Sequence, residues 1–212
     1  MATKRMKQTC VLLAAATAAL FLAVALAACS ASNAQPQSAQ PKGGYASLDT
    51  YPASDMSNYD CAQGYDGDYR FVDMTVSDIA AEMDAGTTFM VYAGYDHCPW
   101  CNSVLNYLND IAVDHGIRVG YLDTRKDPSW KTNMDIDDYD LFVEKFDDVL
   151  ELDDEGKKHL YVPHLFFMKD GAVVADHPGT VPSQSDSSDP LSEAQVAEYK
   201  GAVEDALAKL GA

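Results

Sequence analysis

Two cysteines separated by a Pro-Trp dipeptide, in Asp96-His97-Cys98-Pro99-Trp100-Cys101, stand between two segments of different periodicity. Before them, Thr87-Thr-Phe-Met-Val-Tyr-Ala93 is a continuous run of β-formers that reads as a buried strand. After them, Val104, Leu105, Leu108, Ile111 and Ala112 recur at helical spacing as far as Gly116. The cysteines therefore sit where a strand hands over to a helix. Proline tolerates the first helical position because its missing N–H would lack a partner there anyway, so Pro99 puts Cys98 at the cap. A sulfur at that cap faces unpaired backbone N–H groups and the positive end of the helix dipole, which favour thiolate over thiol. Cys101, one turn on, is close enough to close a disulfide and is the more shielded of the two.

The flanking sequence continues the alternation. Arg70 to Thr75 reads as a short strand, followed by a helix over 77–84 capped by Ser77 and stopped by Gly86. Ile117 to Leu122 is the next strand. In the second half, Leu165–Met168 and Ala172–Ala175 flank Lys169-Asp170-Gly171, which predicts an antiparallel hairpin. The final helix is signalled by a Ser192/Gln195 capping box, a Leu191/Val196 staple and a stripe of Val196, Tyr199, Val203, Leu207 and Leu210. These elements predict an α/β fold, a central mixed sheet flanked by helices, closed by a C-terminal β-hairpin plus helix.

Residues 1–28 contain Lys4, Arg5 and Lys7 and then an uncharged apolar run, ending Leu26-Ala27-Ala28-Cys29. That is the pattern of a secretory leader. The ending resembles the bacterial lipobox, which implies cleavage before Cys29 and lipidation of its thiol; the rival is a retained spanning helix. Residues 29–67 then comprise the lipidated end, a polar tether rich in Ser, Ala, Gln and Pro with a reach of about 20 Å, and an irregular extension; the stretch from Tyr45 to Tyr69 has no clean period and holds five tyrosines and Cys61. The folded domain is expected over 68–212. Cleavage removes Cys10, so the thiols left outside the cytoplasm are Cys61, Cys98 and Cys101, an odd number that flags a reactive thiol. With 33 acids against 15 basic residues and a net charge of -18, the chain lacks the electrostatic footprint of a nucleic-acid binder.

The chain resembles the thioredoxin-like superfamily over roughly residues 68–212, through the order of elements, the CxxC helix, and Pro163 in Tyr161-Val162-Pro163-His164 just before the Leu165 strand. In that family the corresponding X-Pro bond is cis and its loop faces the cysteines and binds substrate backbone. The resemblance implies thiol-disulfide exchange with Cys98 attacking, Cys101 resolving, and Pro163, Val162, Trp100 and Pro99 meeting the substrate, with no cofactor. The motif departs from cytosolic thioredoxins: His97 precedes the first cysteine, and Tyr92 stands where those proteins have a buried acid. Cys-Pro-Trp-Cys looks more like glutaredoxins and periplasmic disulfide oxidases. The whole chain resembles small lipid-anchored thioredoxin-like proteins, including those labelled bacteriocin transport accessory proteins. Partners would be protein thiols or disulfides, with the membrane reached through the anchor.

His97 and His164 are candidate modulators of the thiolate, and Cys61 a candidate resolving partner; each also has a plain reading as a loop, strand or surface residue. Structural zinc needs four ligands, which one further cysteine and five scattered histidines do not supply in pattern, so no metal is expected. Met134-Asp-Ile-Asp-Asp-Tyr-Asp140 fails the calcium-loop template at its Gly and Glu positions. It belongs to an acidic insertion near 125–159 that includes a helix with apolar Leu141, Phe142, Phe146 and Val149. The expected function is a membrane-anchored extracytoplasmic thiol-disulfide oxidoreductase. The rivals are a metal-binding or metal-delivery lipoprotein and a non-catalytic thioredoxin-fold binding module.

Overall fold

The computed structural model describes residues 44–125 and 138–211. The leader, Cys29 and the tether up to Gly43 lie outside the described residues, as does most of the acidic segment around Met134.

Strand β1 (Phe71–Asp73) leads to helix α1 (Val76–Asp84). The cap of α1 is Thr75 rather than Ser77: its hydroxyl accepts the Asp78 N–H while the Asp78 carboxylate accepts the Thr75 N–H, a reciprocal pair that Ser77 has no acid at the right spacing to make. Strand β2 (Phe89–Gly94) runs into helix α2 (Pro99–His115), which ends at Gly116 in the left-handed conformation, and strand β3 (Val119–Asp123) follows. After helix α3 (Tyr139–Phe146) come a two-residue ladder of β4 (Glu151–Leu152) with β5 (Lys158–His159), then β6 (His164–Lys169), β7 (Ala172–Pro178) and helix α4 (Glu193–Lys209).

The main sheet has the order β1-β3-β2-β6-β7. β1, β3 and β2 are mutually parallel; β6 pairs antiparallel with β2, and β7 with β6. The β6–β7 turn places Asp170 and Gly171 at positive φ, which a two-residue turn matched to strand twist requires. Alternate residues of each central strand feed two cores. Met90, Tyr92, Leu165 and Phe167 face α2 and α4, while Phe89, Val91, Ala93, Phe166 and Met168 face α1 and α3. On the second face Phe142 and Phe146 of α3 stack on each other at 4.5 Å, and they meet Phe166 edge-on at 5.9 Å and tilted at 4.5 Å respectively, so the insertion helix is held by aromatic packing. A mixed sheet covered on both faces, with a terminal hairpin and helix, is a thioredoxin-like α/β fold.

Among its described residues the extension is irregular in backbone, with one 3-10 turn at Asp60–Ala62, yet it buries Tyr45, Leu48, Met56 and Tyr59. Its residues 52–54 cover the edge of β1, where Ser54 N–H donates to the Phe71 carbonyl and Asp73 N–H to that of Pro52. Three asparagines at helical spacing on α2 hold the rest. Asn102 Oδ1 accepts the Cys61 N–H at 3.0 Å, Asn106 Nδ2 donates to the Cys61 carbonyl at 2.7 Å, and the fully buried Asn109 accepts the Arg70 N–H while donating to the Asp68 carbonyl.

Candidate functional site

β2 delivers the chain to the sheet's end, and the loop 95–97 turns it into α2. Cys98 is the N-cap: its sulfur accepts the Cys101 N–H at 3.3 Å, as capping oxygens do in ordinary helices. The cap is braced by Asn102, whose amide donates to the carbonyls of Asp96 at 2.6 Å and Cys98 at 3.0 Å. Across from it the Val162–Pro163 bond is cis. The Cys98 thiol donates to the Val162 carbonyl at 3.9 Å, which brings the motif and the proline loop together, and the Pro163 carbonyl accepts the Gly179 N–H.

The two thiols have opposite electrostatics. Cys98 is held below the ordinary thiol range by hydrogen bonding from the Cys101 thiol first, then by the N–H groups of Cys101 and Trp100 and the Arg125 guanidinium, against opposition from burial. Cys101 is pushed well above that range by burial first, and then by the hydrogen bond and charge of Cys98. Cys98 is only 3% exposed, however, where the attacking thiol is expected at the surface. The helix start and the Val162 loop close over its sides.

The remaining candidates separate. Trp100 and Val162 are half-buried against the core beside Cys98, Pro163 is buried and Pro99 exposed. His97 is exposed, 3.3 Å from Asp96, and borders a polar groove of about 330 Å³ with Pro99, Asn102, Asp60 and Asp189. His164 faces the other way. It is buried, stacks on Phe166 at 4.1 Å, and reaches the Asp176 carboxylate at 3.0 Å on the α1/α3 side of the sheet, because strand alternation turns it away from the face that carries α2. Cys61 lies beside α2 as a half-buried thiol, and burial pushes it up to about 11, which suppresses its thiolate at neutral pH.

One contributor escapes sequence reasoning. Arg125, just after β3, lies with its guanidinium 4.6 Å from the Tyr95 ring centroid and acts on Cys98; its Nε makes no hydrogen bond among the described residues. In the sequence it stands in an Arg125-Lys126 pair after the strand that follows the motif helix, a pattern that marks no site. Among the described residues no group of three or more His, Cys, Asp or Glu is placed to hold a metal ion, and no helix is long and apolar enough to cross a membrane.

No family model and no curated protein matches the chain. Solved structures that it resembles include thioredoxin O2 from Arabidopsis thaliana in its oxidised state, at 14% identity over 64% of this chain and 93% of that one, with a TM-score of 0.40.

Proposed function

We propose that the protein is a lipid-anchored, extracytoplasmic thiol-disulfide oxidoreductase acting on protein thiols or disulfides. One observation carries the reading: a capping sulfur with a depressed proton affinity, a shielded second thiol one turn away, and a cis-proline loop whose carbonyl touches the first sulfur. The lipobox and polar tether in the sequence support the anchor.

In the reducing direction the Cys98 thiolate attacks a substrate disulfide, forming a mixed disulfide and expelling one substrate thiolate. Cys101 then attacks Cys98, closing the Cys98–Cys101 disulfide and expelling the second thiolate, and the Cys101 proton ends on a substrate thiol. Two enzyme thiols are oxidised and one substrate disulfide reduced; the oxidising direction reverses every step. No cofactor enters. Ionisation of Cys98 removes the proton it shares with the Val162 carbonyl, which frees that carbonyl for a backbone N–H of an extended substrate.

Stabilising the Cys98 thiolate stabilises the reduced form and raises the potential by about 30 mV per factor of ten. The couple is accordingly placed above thioredoxin's value of about -270 mV and below that of the strongest oxidants, about -120 mV. Titration against glutathione buffers measures it. The test of roles is trapping: Cys101→Ser should accumulate mixed disulfides with partner proteins and Cys98→Ser few, and equal trapping by both would overturn the assignment.

A further inference from the structure

Asn102 stands one turn after Cys98 on α2, and both of its amide hydrogens and its oxygen are engaged. Nδ2 donates to the carbonyl of Asp96 at 2.6 Å and to that of Cys98 at 3.0 Å, while Oδ1 accepts the Cys61 N–H at 3.0 Å. The partners fix the orientation of the amide: two carbonyls on one side need its NH2 group, and an N–H on the other needs its oxygen. Asparagine inside a helix costs stability relative to alanine, and these three bonds offset that cost.

The two carbonyls flank the reactive residue. Cys98 is extended, with φ -82° and ψ 115°, where the chain enters the helix, and its sulfur accepts the Cys101 N–H only while that conformation holds. Its own N–H donates to the Tyr95 carbonyl at 3.2 Å, and its carbonyl takes both the backbone N–H and the side-chain amide of Asn102, each at 3.0 Å. The peptide planes on both sides of the Cys98 Cα are thereby held. Asp96 lies in the turn before, outside helix and strand, and Asn102 supplies a donor to its carbonyl. Once released, these planes are free to turn, and the sulfur then leaves the helix N–H groups that favour its thiolate. The other side of the amide belongs to the extension. Its turn at Asp60–Ala62 presents the Cys61 N–H to Asn102 and the Cys61 carbonyl to Asn106 at 2.7 Å. The two asparagines are one helical turn apart and hold one residue by its two ends, but of the two it is Asn102 that also braces the cap.

We propose that Asn102 is a positioning residue for the attacking cysteine, and that the extension, by holding the Asn102 oxygen, sets the reactivity of Cys98. The inference rests on the exchange chemistry proposed above. Asn102 bonds the backbone on either side of the sulfur rather than the sulfur itself, so it acts through the cap conformation. An amide pinned by the Cys61 N–H keeps its NH2 group on the two carbonyls; with its oxygen released it turns about its own side-chain bonds, and the brace loosens. Loss of a helix cap sets the scale of the effect, a roughly three- to thirtyfold fall in the thiolate-to-thiol ratio of Cys98 at fixed pH.

The test is the pH profile of Cys98 alkylation in the reduced full chain carrying Cys61→Ser, with the urea midpoint of each variant measured alongside. Asn102→Ala should move the midpoint of the profile upward by that factor and leave the rate at its alkaline plateau unchanged. Asn102→Asp still accepts the Cys61 N–H but loses both donations, so in about 1 M salt, where its new charge is screened, it should shift the profile as alanine does. Cys61→Pro removes the N–H that holds the oxygen and alters nothing in the motif; against Cys61→Ser it should shift the profile in the same direction. Asn106→Ala frees the Cys61 carbonyl and spares the cap, so it should lower the urea midpoint with the profile in place. A profile indifferent to both Asn102 variants overturns the positioning role, and one indifferent to Cys61→Pro overturns control by the extension. A shift with Asn106→Ala as large as with Asn102→Ala also overturns the proposal, since general loosening would then explain both. A parent whose Cys98 titrates like a free thiol would sink the exchange chemistry itself, a result distinct from a depressed midpoint that ignores Asn102.

Discussion

Replacing Cys101 by alanine removes the thiol that contributes most to the stabilised Cys98 thiolate, while the Cys101 N–H at 3.3 Å, the Trp100 N–H and Arg125 remain. A hydrogen bond to a charged acceptor is worth about 1.5–3 kcal/mol. At about 1.4 kcal/mol per decade, its loss should cut the thiolate-to-thiol ratio at fixed pH by roughly ten- to hundredfold. Arg125→Ala removes the smallest of these contributions, a charge on a half-exposed side chain that solvent screens. Exposed charge interactions are worth about 0.2–1 kcal/mol, so the corresponding fall is at most about fivefold, and salt should mimic it. The assay is the pH dependence of iodoacetamide alkylation at Cys98 in a Cys61→Ser background, checked by the ultraviolet absorbance of the thiolate. Should Arg125→Ala raise the midpoint more than Cys101→Ala does, the view that the cap geometry governs the nucleophile is wrong.

Cys61 should alkylate far more slowly than Cys98 at pH 7, because burial raises its proton affinity to about 11. By linkage, its neutral thiol supports the fold fully below the free-thiol value of about 8.5, and that support is lost as pH rises toward about 11; Cys61→Ala should flatten the alkaline limb of a stability-pH curve. Asn109→Ala strands the Arg70 N–H and the Asp68 carbonyl, so it should lower the unfolding free energy by about 2–4 kcal/mol, read as the midpoint of urea denaturation. A smaller loss would mean that water replaces the amide. Cys29→Ala should abolish acylation and release the protein from membranes, and retained membrane association would point to a spanning leader instead.

Much of the central architecture was legible because it rests on local rules. Pro99 with a strand before it and a periodic segment after it locates the capping sulfur, and Ser192 with Gln195 locates the last helix. Thr75 rather than Ser77 caps the helix because the acid that closes the box, Asp78, lies three positions after Thr75, whereas Ala80 stands three after Ser77. The burial of Cys98 depends on what the chain brings across the sheet, and sequence spacing carries no information about it. The same holds for Arg125: it reaches the site because β3 lies beside β2 and ends at the same level, a consequence of topology alone.

The attachment of the extension shows why a polar stripe on a helix can be structural. Irregular chain presents N–H and C=O groups that no ladder satisfies, and an apolar helix face would leave them stranded at a buried contact. Asparagine carries a donor and an acceptor on one short side chain, so Asn102, Asn106 and Asn109 bind that backbone much as a strand edge would. The tyrosines make a second row of contacts, Tyr69 donating to Asn106 at 2.5 Å and Tyr65 to Asp110 at 3.0 Å. Asn102 belongs to both systems, because its oxygen holds the Cys61 N–H and its nitrogen holds the Asp96 and Cys98 carbonyls. The extension and the capping loop are therefore fixed by one amide, and a displacement of either must break hydrogen bonds in the other. The segment that lies between the tether and the sheet is thus bound to the geometry of the attacking sulfur through Asn102.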